Sequence, residues 1–202
     1  MEDAYKTITS DAEGFFKDKG SKFFAHAYPI ESDEEIKPIL ESLRKKYHDA
    51  RHHCYAYVLL PDQSVFRAND DGEPSGTAGK PIHGAILSSG LTNIFIVVVR
   101  YFGGTKLGVR GLIDAYKAAA FDAIHNCEIV EKTVNDIYEI VYDYPLMNNV
   151  MRIMKDEDLN QIATQFEERC RIEISVRQKD SKRIFEKFEE IHQIQINLLR
   201  TE

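Results

Sequence analysis

Six consecutive residues, Ile94-Phe95-Ile96-Val97-Val98-Val99, are all β-branched or aromatic, with no polar side chain among them. Such a run reads as a strand covered on both faces, so other layers must lie above and below it. Glycine-rich turns flank it, and each leads into a helical pattern. Nine of the eleven glycines fall between Gly72 and Gly111, and no Asp or Glu occurs from Pro74 to Ile113, although the chain has 33 acidic residues. The same interval carries Lys80, Arg100, Lys106 and Arg110. That combination suits a surface that receives an anion, such as a phosphate or a nucleic-acid backbone. Glycines equally serve tight turns and close element packing. Spacing alone leaves both readings open.

Around this stretch the periodicities define two modules. Tyr5 to Thr9 alternates weakly as a first strand, and Asp11 to Gly20 reads as a turn. In Lys22–Ile30, Phe23, Ala25 and Ala27 share one face, and Phe24, His26 and Tyr28 the other. Ile36, Ile39, Leu40, Leu43 and Tyr47 mark a helix whose start is set by Ser32 and Glu35 at capping-box spacing, or by Pro38. His53–Leu60 is a strand, Ser64–Ala68 its hairpin arm, and 81–88 a short helix with Pro81 in first place. Leu91–Tyr101 is the buried strand, followed by a long helix from Val109 to Ile124 rich in alanine. After Cys127 the order becomes strand, helix, strand, strand, helix, strand, with Asp180 expected to cap the last helix. This βαββαβ order is the ferredoxin-like arrangement. The boundary is expected near Thr133, giving domains 1–133 and 134–202.

Composition narrows the function classes. The net charge is −7, with −3 in residues 1–133 and −4 in 134–202, which disfavours a globally basic nucleic-acid binder but permits a local basic patch. Cys54, Cys127 and Cys170 are too few, and too widely spaced, for a disulfide framework or a zinc site. A reducing compartment fits them. The acidic N-terminus has no apolar core of a signal peptide, and Ile94–Val99 is too short to span a bilayer. The expectation is a cytoplasmic protein with no cofactor, metal or membrane partner.

Several motifs fail on inspection. A P-loop needs Gly ahead of Gly-Lys-Ser/Thr, but Pro74 and Pro81 stand at two of the required positions around Gly79-Lys80. In Arg51-His52-His53-Cys54, His52 and Cys54 share a face while His53 cannot, which falls short of a metal or nucleophile site. Cys54 among aromatics reads as a small buried hydrophobe. Asp70, Asp71 and Glu73 are carboxylates that could serve acid–base chemistry, but Asp-Asp-Gly is also turn chemistry, and acids beside a basic stretch can position its loop. Arg169–Val176 lacks the aromatics and glycine of an RNA-stacking strand.

Three segments carry a resemblance: Asp70-Asp71-Gly72-Glu73-Pro74-Ser75-Gly76-Thr77-Ala78-Gly79, Val98-Val99-Arg100-Tyr101-Phe102-Gly103-Gly104-Thr105-Lys106-Leu107-Gly108, and Gly111-Leu112-Ile113 with Ala115-Tyr116. His53-Cys54-Tyr55-Ala56-Tyr57 adds a looser match. Together they resemble the YigZ/IMPACT family. The resemblance implies an α+β chain: a ribosomal-protein-domain-2-like α/β sandwich, then a ferredoxin-like βαββαβ domain similar to elongation factor G domain V. In eukaryotic members it implies regulation of translation through an amino-acid-starvation kinase, a role that also uses an RWD domain for which this sequence has no room. No catalytic residue carries over. Arg110 stands where the family often has Gly, and Asp114 where it often has a basic residue.

The leading expectation is a non-enzymatic regulator linked to translation, binding RNA or a ribosome-associated surface, with a translation-related protein as a further partner. Lys80, Arg100, Lys106 and Arg110 would contact phosphates, while Gly79, Gly103 and Gly104 would offer backbone N–H groups from one positive hollow. The alternatives are an enzyme acting on a small phosphorylated or nucleotide ligand, and a pure protein-interaction module.

Overall fold

The computed structural model describes residues 3–166 and 169–202. It divides into two compact units, one of Tyr5–Lys132 and one of Thr133–Glu202 joined by Asp3 and Ala4. The elements are β1 (Ala4–Ile8), β2 (Ala12–Asp18), β3 (Ser21–Pro29), α1 (Ile36–Lys46), β4 (His52–Leu59), β5 (Val65–Asn69), α2 (Gly79–Ser88), β6 (Ile94–Tyr101), α3 (Gly108–His125), β7 (Ile129–Thr133), β8 (Asn135–Tyr142), α4 (Met147–Asp156), β9 (Asn160–Phe166), β10 (Cys170–Arg177), α5 (Gln178–Glu189) and β11 (Gln195–Thr201). The chain is therefore mixed α+β. No helix among the described residues is long and apolar enough to cross a membrane.

In the larger unit a five-stranded antiparallel sheet has the order β2-β3-β6-β4-β5, with β6 at its centre. Every residue from Ile94 to Val99 is fully buried, as the apolar run requires. Its two faces have different cover. Ile94, Ile96 and Val98 meet the stripes of α2 and α3, together with Phe23, Ala25 and Ala27 of β3. Phe95, Val97 and Val99 meet Ile36 and Leu43 of α1, with Phe24 and Tyr28 packed beside them. Alanines 115, 119, 120 and 123 of α3 are fully buried and let its backbone lie close to the sheet. Burial of this continuous apolar surface is the main stabilising term for the unit.

Residues 12–18 are a strand, not the expected turn. The hairpin turn itself is confined to Lys19 and Gly20, both at positive φ (44° and 81°). Gly14 hid the strand in the sequence. A side chain there would meet the backbone of Ala123 at 2.2 Å, so the glycine marks where α3 crosses the edge strand. Strand β7, also unforeseen, pairs with β1 in a separate two-stranded sheet.

The smaller unit has the order β8-α4-β9-β10-α5-β11, and its sheet runs β11-β8-β10-β9. Val150 and Met154 of α4, with Ile184 and Phe188 of α5, cover one sheet face through Tyr138, Ile140, Ile172 and Ile174. Helix α5 begins at Gln178, two residues before the expected cap, so Asp180 lies inside its first turn and pairs with Arg183 at 3.3 Å. A distant carboxylate does the capping instead. Asp3 accepts the Lys179 backbone N–H at 3.1 Å and two bonds from Arg177. This explains why the start of the chain belongs to this unit.

Candidate functional site

The chemistry-bearing residues gather where β6 ends, β4 begins and α3 starts. Cross-strand pairing places Arg100 beside His52 on one side and Phe23 on the other. Strand alternation turns Arg100 toward the α3 side, in line with Val98 and Ile96.

Residues 70–79 form a loop built around three carboxylates. Asp70 accepts the N–H of Gly76 at 2.8 Å through one oxygen, and those of Ala78 (3.0 Å) and Gly79 (2.8 Å) through the other. The chain's own anion thus occupies the positive end of α2. Asp71, at φ 41°, accepts the His53 backbone N–H at 2.6 Å and a bond from Arg44 at 3.1 Å. Glu73 reaches inward. Its side chain is 4 % exposed and accepts from Arg100 Nη1 at 2.6 Å and from the Tyr116 hydroxyl at 2.8 Å. These acids position the loop, as charge pairing beside a basic stretch allows. Beneath them the Cys54 thiol donates to the Asp70 carbonyl at 2.9 Å, and burial pushes both this thiol and the Tyr116 hydroxyl far above their ordinary ionisation ranges. Cys54 is an unreactive core residue.

On the other side lies the turn Phe102-Gly103-Gly104-Thr105. A side chain at Gly103 would sit 1.9 Å from the Gly20 carbonyl carbon, so the β2–β3 turn and this one can meet only as two glycines. The Ser21 hydroxyl accepts the Gly103 N–H at 3.1 Å and an Arg100 Nη2 bond at 3.4 Å. Gly104 is at φ 88°. Helix α3 then starts with no acidic residue in its first turn and no side-chain cap. The N–H groups of Gly108, Val109 and Arg110 have no partner within the helix, as at any helix start.

Between loop and helix start lies a cleft of about 880 Å³. It is lined in part by Arg51, His52, Glu73, Arg100, Phe102 and Lys106, and closed by Leu107–Val109 and Leu112. Arg100 is 7 % exposed, sandwiched between the rings of Phe23 (5.5 Å) and Phe102 (5.7 Å), and its Nε has no hydrogen-bond partner among the described residues. Phe102 is 57 % exposed. His52 makes a hydrogen bond through Nδ1 to the Asp71 carbonyl at 2.9 Å and presents Nε2 4.0 Å from Glu73. At the rim, the Asp49 carboxylate accepts from the Tyr101 hydroxyl and holds its pKa up at about 12. No group of three or more potential metal ligands occurs among the described residues.

The elements that build the cleft fall inside a known sequence family. The Impact N-terminal domain model matches residues 19–124, more than half the chain. The chain belongs to the IMPACT family. It is 37% identical over 138 residues to IMPACT family member YigZ of Escherichia coli, covering 67% of this chain and 68% of that one. IMPACT family member YvyE of Bacillus subtilis is 29% identical over 178 residues, covering 88% and 82%. Protein IMPACT of Oryctolagus cuniculus aligns at 34% identity, over 45% of this chain and 30% of that protein. A solved crystal structure of a hypothetical protein superposes with a TM-score of 0.71 at 27% identity, covering 99% of each chain.

Within this IMPACT-family framework the sequence-expected site residues separate. Arg100 and Lys106 line the same cleft, while Lys80 and Arg110 are exposed outside its lining. The cleft lining therefore brings together two of the four expected cations. Three further expectations are corrected by hydrogen bonding. Gly79 N–H is taken by Asp70, Gly103 N–H by Ser21, and the Arg100 charge by Glu73. Conversely, Arg51, His52 and Phe102 belong to the cleft although none was singled out for it. Phe102 sits inside the Arg100–Lys106 segment, and an aromatic flanked by glycines and cations was the available signal.

Proposed function

We propose that this IMPACT-family chain is a non-enzymatic, cytoplasmic regulator linked to translation, binding RNA or a ribosome-associated surface through the glycine-rich cleft. The observation that carries the reading is the open start of α3. Its backbone N–H groups, with exposed Lys106 and Arg51 at the same cleft, make an anion-receiving surface whose two lining carboxylates are each engaged, Glu73 by Arg100 and Asp49 by the Tyr101 hydroxyl. Buried Arg100 contributes as the framework beneath the site. The strand order of the smaller unit and its one helix-covered face support a ferredoxin-like, elongation factor G domain V-like reading of that unit. The sheet of the larger unit, with its helices, is read as ribosomal-protein-domain-2-like. A translation-related protein is the proposed second partner.

Binding of the full chain to RNA and to ribosomes, measured across a salt series, tests this. Phosphate contacts require affinity to fall linearly with salt on logarithmic axes, and Lys106→Ala lowers that slope by about one. Absence of binding, or binding indifferent to salt, overturns the proposal.

His52 favours a second reading, an enzyme acting on a small phosphorylated or nucleotide ligand. A Nδ1–H bonded to the Asp71 carbonyl leaves Nε2 as a proton acceptor facing the cleft, the arrangement of a general base. Thermal stabilisation by a nucleotide with magnesium, and turnover lost in His52→Gln, would favour it; no shift across a nucleotide panel counts against it.

A further inference from the structure

We infer that the cleft seats one unpaired nucleotide of single-stranded RNA, with its base on Phe102 and its phosphate at the start of α3 beside Lys106. This rests on the RNA-binding reading above and adds which form of RNA is recognised, and how.

Phe102 is a fixed platform. One side of its ring lies against the Arg100 guanidinium at 5.7 Å, and that guanidinium is held by Glu73 at 2.6 Å and by Ser21. With one side supported and more than half the residue exposed, the remaining ring surface is open for a planar group to stack. Every base has such a face, so stacking tolerates any sequence. Within a duplex, bases stack on one another and A-form geometry denies side chains the deep groove, leaving no free base for this ring.

The phosphate position follows from the same cleft. The α3 start offers unpartnered N–H groups and Lys106 adds a mobile cation. Arg100 is more than nine-tenths buried in the cleft wall, yet its Nε has no acceptor among the described residues. Held by Glu73 and Ser21, Arg100 fixes the ring beneath the base and leaves the phosphate to the helix start and Lys106. The cleft volume of about 880 Å³ lies within the span of small-ligand sites, about 300–1,000 Å³. Phe102 precedes the helix start by only a few residues, so base and phosphate sites adjoin along the chain.

Fluorescence anisotropy on the full chain tests this, comparing a labelled oligouridine single strand with an RNA duplex of equal length at matched salt. The expected result is about tenfold tighter binding of the single strand, and loss of about tenfold on Phe102→Ala for the single strand alone, the size of one base–aromatic stack. Phe102→Tyr retains the preference. Since Phe102 is exposed, the thermal unfolding of Phe102→Ala should match the parent, and Phe102→Leu provides an apolar control that keeps bulk but loses the ring. Equal binding of duplex and single strand, or a Phe102→Ala protein that binds single strands as the parent does, overturns this inference. Salt-dependent RNA binding in those cases leaves the broader proposal standing, whereas absence of binding to either RNA removes both.

Discussion

The starts of α2 and α3 are alike in composition and opposite in state. Each follows a glycine-bearing turn, each carries a cation nearby, and neither has an acid in its first turn. At α2 the carboxylate of Asp70, nine residues back, closes the positive end through Ala78 and Gly79. At α3 nothing comparable closes it among the described residues, and the helix start opens onto the cleft. The comparison teaches that a helix start offers the same donors in either case, and that a carboxylate elsewhere in the chain decides whether they are taken. Lys80 and Lys106 therefore have different prospects although the sequence presents them similarly.

The strongest way to break this contrast is to remove the group that separates the two sides. Glu73 comes from the α2 side and neutralises Arg100 on the α3 side, both almost fully buried. Glu73→Gln strands a buried guanidinium charge, and chemical denaturation should register a loss of about 3–5 kcal/mol. Next, Asp70→Ala opens α2. It removes three charge-assisted bonds, so a loss of about 2 kcal/mol is expected, and added phosphate should recover more stability in the variant than in the parent.

A smaller effect comes from pH. His53, whose backbone Asp71 holds, and His26 of β3 are buried, and burial lowers both pKa values despite the nearby Asp71 and Glu13 carboxylates. In the unfolded chain a histidine takes its proton near pH 6.5, roughly. Below that the unfolded state binds more protons than the folded one, so this contribution is complete above the unfolded pKa and is lost as pH falls through and below it. Tm should decline between about pH 7 and pH 5, and His53→Gln should flatten part of the slope. Smallest in stability, and sharpest as a test of the comparison, are Lys80→Ala and Lys106→Ala. Both should leave Tm essentially unchanged, since both are exposed. The salt slope of RNA binding should fall by about one for Lys106→Ala and stay constant for Lys80→Ala.

Most elements were legible because their periodicities survive folding. The alternation of Phe23, Ala25 and Ala27 against Phe24 and Tyr28 matches the two cores on either side of the sheet. What escaped were strands whose side chains answer to a partner element, such as residues 12–18 with Gly14 beneath α3. The candidate site was half legible. The acid-free, glycine-rich interval pointed to it, and the three carboxylates at its edge stood open between acid–base and turn chemistry. Their hydrogen-bond partners were not legible, because Asp70 to Gly79 and Glu73 to Arg100 are pairings between loop and framework.

By itself, then, the sequence determined the layered unit around Ile94–Val99, the second βαββαβ module, the family, and a segment that contributes to the cleft lining. Hydrophobic period and glycine placement are local properties, and they act before any long-range contact forms. Only the tertiary structure decided which helix start stays open and which cations remain available. That choice depends on distances of a few ångströms between residues far apart in the chain, at which a carboxylate either completes a donor or leaves it for a ligand.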